Sequence, residues 1–355
     1  MVVTTDADAV LNRLRGEAES PRQDFAELAR ALGAQMLSFS DISRASAFAR
    51  CLARCVGRPA ALAWLAFRRG GSFYFVTAEN AALPLLFLLK LRRGVTVALI
   101  AHRLTPPRKT RLVRWFGLFR HIGAVLCYSR QQAEHARSVL RVPAERVALI
   151  PFQVDEKFFT PAAEAGFGRG VVSVGRELRD YPTLFAALDG TDIPVTVVAS
   201  SPWSRRADQT ADRRLPDNVV LKKGINSVEL RDLYRQAAVV VVPLQNVDWP
   251  AGVTSLFEGQ ACGRPVVVSA SAGILDSIEP GAAATVPCGD PRALREEILR
   301  LIRDPAAAAE LGRRGRAAVL QDKTLDLFVT RIAAACRAAE EPDDKGGSHE
   351  TGCQT

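Results

Sequence analysis

Histidine is scarce in this chain, with four in 355 residues, and methionine scarcer, with two. None of the histidines stands at ligand spacing from a cysteine pair, which excludes a zinc site of the usual Cys/His kind. The seven cysteines (51, 55, 127, 262, 288, 336 and 353) are scattered and odd in number. That is no disulfide framework, and the expectation is reduced thiols in a cytoplasmic setting. Cys51 and Cys55 lie one helical turn apart and read as two small apolar residues on a helix face. No uncharged apolar run reaches the roughly 20 residues of a membrane span. The nearest, 81–91, ends in Arg92 and Arg93. Met1 to Glu19 is already charged, so no secretory leader is expected at this end. No paired catalytic acids, no Ser/His/Asp arrangement and no Gly-Lys-Ser/Thr phosphate loop are visible. Asp6 and Asp8 have the Asp-x-Asp spacing of certain metal sites but precede any sheet, so no metal is expected.

What remains is the composition of a soluble globular protein, 48% hydrophobic and 24% charged. The length suits two domains with good cores. Charge is uneven. Residues 1–160 carry 24 Lys and Arg against 12 Asp and Glu, and the remainder 23 against 26. A basic first half without a nucleic-acid motif points to an anionic substrate or a membrane surface rather than DNA.

Apolar periodicity alternates between helix and strand through both halves. In the first, helices are expected over 23–32, 81–91, 108–119 and 130–140, with further helical stretches running to residue 69. Strands are expected over 35–39, 73–76, 95–101, 124–128 and 146–150. A break rich in Pro, Gly and Phe over 151–170 separates a second alternation. There strands fall at 171–174, 194–199, 219–221, 239–242 and 265–269, with helices at 182–188 and 227–236 and a polar loop of about 17 residues after 199. Helices over 291–302, 306–319 and 325–339 follow, then a polar tail over 340–355 expected to be disordered. The pattern implies two doubly wound α/β domains facing a cleft.

The stretch 238–273 is the most informative. Two short β-branched runs read as strands covered on both faces. Between them a helix opens at small residues, Gly252, Val253, Thr254 and Ser255. A helix start of that kind, with free N–H groups and a positive dipole end, suits a diphosphate. One turn on, Glu258 is placed to accept hydrogen bonds from a ribose.

This stretch resembles the donor-binding segment of retaining glycosyltransferases of the GT-B fold, family 4. Glu258 takes the second-glutamate place, and Ala261-Cys262-Gly263-Arg264-Pro265-Val266 follows the family pattern. Pro250 stands where the family has its first glutamate. Residues 148–161 resemble the interdomain segment, and Val174-Gly175-Arg176 the opening of the second domain. Gly224 to Ala237 resembles the helix before the donor strand, and Gly281 to Asp290 a late Gly-Asp segment. The resemblance implies an N-terminal Rossmann-like acceptor domain over 1–160 and a C-terminal donor domain over 161–320. A last helix over 321–339 is expected to pack back toward the first domain, ahead of the tail.

It also implies roles. Arg176 and Arg179 hold the departing diphosphate, with Tyr181 at the family's lysine place. Gly175, Gly252, Val253, Thr254, Ser255 and Glu258 bind the nucleotide. His102, at a strand's carboxyl end, faces the donor sugar, and Asp248 is a candidate to replace the missing glutamate. Arg22, in the first loop over 16–22, reaches an anionic group. Residues 106–123 interleave Lys109, Arg111, Arg114 and Arg120 with Leu112, Val113, Trp115, Phe116, Leu118 and Phe119. That helix reads either as a lipid-interface element or as one packed on the sheet.

The expected activity is a metal-independent, retaining glycosyltransferase with no cofactor and a UDP- or GDP-sugar donor. The acceptor is a lipid-linked or polysaccharide molecule in bacterial envelope assembly, reached at the inner face of the cell membrane. A tailoring glycosyltransferase on a small soluble acceptor and a non-catalytic nucleotide-sugar-binding subunit stay open beside it.

Overall fold

The structure, a computed structural model, describes residues 1–4, 19–102, 104–162, 168, 170–199 and 215–340; at Phe119 and Arg120 it describes the backbone alone. Asp6 and Asp8, the start of the first loop, the polar loop over 200–214 and the tail over 341–355 lie outside the described residues.

Two parallel sheets of six strands each form the frame. The first contains β1 (Val2–Val3), β2 (Met36–Leu37), β3 (Phe73–Val76), β4 (Thr96–Ala101), β5 (Ile122–Cys127) and β6 (Val147–Leu149). Their spatial order is β2-β1-β3-β4-β5-β6. The second contains β7 (Val171–Val174), β8 (Val195–Val198), β9 (Val219–Leu221), β10 (Val239–Val242), β11 (Val266–Ser269) and β12 (Ala284–Val286). Its order is β12-β11-β10-β7-β8-β9. This is the α/β architecture of two doubly wound domains.

Why these segments are strands is plainest in β10. Four consecutive valines are fully buried, as a central strand with helices on both faces requires. Val240 lies opposite Val172 of β7 and Val266 of β11. In each sheet the winding reverses once, between β1 and β3 and between β7 and β10. Ligands of such sheets bind at the carboxyl ends of the strands beside those reversals.

Two strands have no forerunner in the sequence reading. β1 is two residues long, too short for any periodicity, yet it sits between β2 and β3. β12 pairs with β11 at the sheet edge. Helix bounds also shift. The basic helix runs Pro107–Trp115, not to residue 119, because Gly117 takes φ +54° and ends it. Residues 130–140 divide into an α-helix (Arg130–Glu134) and a π-helical turn (His135–Val139). Cys51 and Cys55 lie on one face of the helix Ala47–Cys55, with sulfurs 3.9 Å apart, and that face is exposed.

The chain crosses between sheets twice, and the crossings are hydrogen-bonded to each other. Val154 N–H donates to Lys323 O, and Leu325 N–H to Val154 O, both at 3.0 Å. After the second crossing the helix Leu325–Glu340 returns to the first sheet. Its Leu325, Phe328, Ile332 and Cys336 are buried among Phe75, Ala98, Ile100 and Leu126. Arg22 clamps the same junction, with Nη2 2.7 Å from Asp155 and Nη1 2.5 Å from Asp326.

Candidate functional site

At the β7/β10 reversal the sequence Val174-Gly175-Arg176 leaves the sheet. Gly175 takes φ +114°, and a Cβ there would stand 2.3 Å from Arg179 Nη2, so only glycine fits. Tyr181, at the expected lysine place, is buried and its hydroxyl donates to Gly175 O. It braces the turn and offers no cation to a ligand.

The two arginines divide into different roles. Arg176 is half-buried, and its Nε has no hydrogen-bond partner among the described residues. Arg179 is 4% exposed and is spent on the wall. Its Nε donates to Val174 O at 3.0 Å, Nη1 to Glu177 O at 3.1 Å and Nη2 to Ser255 Oγ at 3.0 Å. Burial pulls its pKa below the ordinary arginine value. Its charge therefore acts on the cavity from behind the surface.

Across from Arg176 the helix Val253–Ala261 opens at Gly252, φ +86°, with no side-chain cap. Uncapped first-turn N–H groups are left for a ligand. Thr254 is exposed there, whereas Ser255 Oγ donates to Val174 O at 3.0 Å and so turns into the wall. Glu258 accepts from Tyr234 Oη at 2.8 Å. Burial and the Glu258 charge push the Tyr234 hydroxyl far above its usual pKa, so it remains a donor.

The first domain closes this space with His102, just past β4. His102 Nε2 is 2.9 Å from Thr77 O, which can only accept, so Nε2 carries a proton and donates there. Its backbone is strapped by Glu79 Oε2, accepting at 3.2 Å, and Gln132 Nε2, donating at 2.8 Å. Glu79 is buried, which raises its pKa. The Lys109 ammonium 2.7 Å away outweighs this and holds the carboxyl below its usual value.

A cavity of about 380 Å³ is lined jointly by His102, Gly175, Arg176, Arg179, Gly252, Val253, Thr254, Ser255 and Glu258. Pro250 and Trp249 are in its wall, while Asp248 is exposed and is not. A second cavity of about 570 Å³ adjoins it at the β1/β3 reversal, lined by Thr4, Asp24, Thr77 and Glu79 among others. Arg22 borders this second cavity but is committed to Asp155, Glu156 and Asp326.

The basic helix divides likewise. Lys109 faces inward to Glu79, and Val113 is buried. Arg111, Arg114, Trp115 (79% exposed) and Phe116 face out. Phe116 meets the exposed Phe87 edge to face at 5.3 Å, and Leu91 is 79% exposed in the same stretch as Lys90, which donates to Phe116 O at 3.0 Å. Among the described residues no helix is long and apolar enough to cross a membrane, and no group of three or more His, Cys, Asp or Glu forms a metal site. Sequence reasoning missed Asp24, Glu79, Gln132, Gln153, Tyr234 and Trp249. Only Glu79 had a signal, its place after a strand's carboxyl end.

Residues 177–304 match the family model described as Glycosyl transferases group 1. A D-inositol 3-phosphate glycosyltransferase of Xylanimonas cellulosilytica is 26% identical over 72% of this chain, which spans 66% of that relative's length. A GDP-mannose-dependent alpha-(1-6)-phosphatidylinositol monomannoside mannosyltransferase of Mycolicibacterium smegmatis is 30% identical over 35% of this chain and 34% of its own. Among solved structures, a glycosyltransferase from Rickettsia africae superposes with a TM-score of 0.69 at 13% identity, over 95% of this chain and 98% of that one. Anabaena HepE in complex with UDP-glucose superposes at 0.67 and 15% identity, over 95% and 99%. The chain thus carries, within residues 177–304, a glycosyl transferases group 1 segment on the two-domain GT-B fold.

Proposed function

We propose that this protein is a retaining glycosyltransferase that moves a sugar from a nucleoside-diphosphate donor to a lipid-linked or polysaccharide acceptor of the bacterial envelope. The observation that carries the reading is one cavity shared by Arg176, the uncapped helix start at Gly252 and Glu258, with His102 opposite. Glu258, already held by Tyr234, accepts from the ribose hydroxyls. Arg176 and the N–H groups of Val253 to Ser255 take up the charge that grows on the diphosphate as the sugar–oxygen bond breaks, with Arg179 adding its field from behind. The diphosphate leaves, the acceptor hydroxyl attacks from the same face, and its proton passes to the departing diphosphate oxygen. His102 positions the sugar. The charge on the leaving group is met by arginine and backbone, so the reading needs neither metal nor cofactor.

The outward face of the helix Pro107–Trp115 supports docking at the inner face of an anionic membrane, with Arg111 and Arg114 on headgroups and Trp115 and Phe116 in the interface. A non-catalytic nucleotide-sugar-binding subunit is the second reading, favoured by Pro250 and Tyr181 at two places where the family carries charge. Calorimetric titration with UDP, GDP and ADP tests both. Micromolar binding of one nucleotide, lost in Glu258→Ala, and turnover of its sugar donors are expected. Binding without turnover favours the subunit, and no binding of any nucleotide sinks both readings.

A further inference from the structure

The cavity at the β1/β3 reversal bears on which acceptor is used, an inference that rests on the glycosyltransferase reading. This cavity shares His102, Thr254 and Glu258 with the nucleotide cavity, so whatever fills it lies beside the bond to be broken. Its charges are informative. The described cations at its edge are already neutralised. Arg22 holds Asp155 at 2.7 Å, Glu156 at 3.3 Å and Asp326 at 2.5 Å, and Lys109 holds Glu79 at 2.7 Å.

Hydrogen-bond acceptors are in surplus on the same walls. Asp24 lines the cavity with His102, the basic group whose charge bears on it, and no arginine or lysine is paired with it among the described residues. Its Oδ1 accepts from Phe25 N–H at 2.7 Å and its Oδ2 from Gln153 Nε2 at 3.0 Å. A carboxylate has about four lone-pair directions, more than these donors fill. Gln153, on the same wall, has a buried Oε1 that accepts no hydrogen bond from the described residues. A phosphate or carboxylate brought here would face Asp24 and find no unpaired cation among the described residues. A hydroxyl-rich ligand brings the missing donors.

We propose that the cavity seats an uncharged, polyhydroxylated acceptor, a sugar or cyclitol ring without phosphate, with a hydroxyl donating to Asp24, and that it discriminates against phosphorylated acceptors. In this it departs from the inositol phosphate in the name of the Xylanimonas relative. Burial in the cleft keeps the Asp24 carboxyl above its ordinary pKa, consistent with a group short of donors.

The test uses the full chain loaded with whichever nucleotide calorimetry selects. Saturation-transfer NMR then compares two matched probe pairs, myo-inositol with D-inositol 3-phosphate and methyl glucoside with its 6-phosphate. The expected result is at least tenfold tighter binding of the neutral member of each pair. Asp24→Asn is expected to weaken the neutral member at least fivefold, and Asp24→Ala more, with nucleotide affinity unchanged within twofold. The Asn variant keeps the shape, and a turned Gln153 amide meets it with the now idle Oε1, so the fold tolerates it. Equal or tighter binding of the phosphorylated members, or full retention of neutral-probe binding in both variants, overturns the proposal. A wild type that binds no nucleotide fails the underlying reading instead, and calorimetry registers that before any acceptor probe is added.

Discussion

Arg179 Nη2 lies 3.0 Å from Ser255 Oγ, and Ser255 passes the contact on to Val174 O at 3.0 Å. One buried guanidinium thereby ties the end of β7 to the first turn of the helix Val253–Ala261, the two elements that frame the nucleotide cavity. The bond holds the geometry of the site, while the charge on Arg179 biases it.

The arginines therefore separate on mutation. Arg176→Ala is expected to weaken nucleotide binding about 10- to 100-fold, the worth of roughly 1.5–3 kcal/mol for charge-assisted hydrogen bonds, with an unchanged melting temperature. Arg179→Ala is expected to lower the melting temperature as well, because it empties a buried volume and removes the donors to Val174 O, Glu177 O and Ser255 Oγ together. Calorimetry and thermal denaturation on the same two variants check the division. Equal loss of stability in both would contradict it.

Gly175→Ala brings a Cβ to 2.3 Å from Arg179 Nη2 at a φ of +114°. The clash and the strain together are expected to cost about 3 kcal/mol. Urea titration reads the cost directly, as a lower midpoint with an unchanged slope.

Glu79 sets an acid limit on the floor beneath His102. Its folded pKa is below the ordinary 4.5, so its contribution is fully present above that value and is lost as the pH falls through the lower folded value. Glu79→Gln is expected to be less stable than wild type at pH 7, by about 1–3 kcal/mol for a half-buried Lys109 left unpaired. The gap should narrow below pH 4. Chemical denaturation of both proteins at pH 7 and pH 3.5 measures it, and a gap that widens in acid would show the sign to be wrong.

Trp115→Ser and the pair Arg111→Glu, Arg114→Glu address the outward face of the basic helix. Co-sedimentation with vesicles containing anionic lipid is expected for wild type and to fall with rising salt. Each arginine near the surface is worth about 1 kcal/mol, so reversing two should abolish it. Unchanged sedimentation of the charge-reversed protein would rule the face out. These residues are exposed, and nucleotide affinity should not move.

Much of this was legible in the sequence because it depends on local pattern. Runs such as Val239–Val242 announce buried parallel strands, and Gly252 to Glu258 announces a helix start that opens on a cavity. Arg179 lines the cavity, but three of its donors are held by Val174, Glu177 and Ser255, and spacing alone does not show a guanidinium so committed. That commitment is completed by Ser255, 76 residues away. Arg22 and Lys109 show the same limit: each side chain meets an anion, but the anion is a carboxylate of the chain itself, 133 and 30 residues off, which local pattern does not display. β1 escaped because two residues carry no period, though its carboxyl end places Thr4 on the second cavity.

The return of Leu325–Glu340 to the first sheet has a consequence for how the protein is made. Phe75, Ala98 and Leu126 are made some 200 residues or more before the side chains that cover them, Phe328, Ile332 and Cys336. Until then that sheet face has only the helix Asp24–Ala31, through Leu28, to cover part of it, and the rest is exposed apolar surface of the kind that favours aggregation. The later half, with β7 to β12 and its own helices, can condense first. A chain cut before residue 325 would therefore lose cover from the half made first rather than from the half it interrupts.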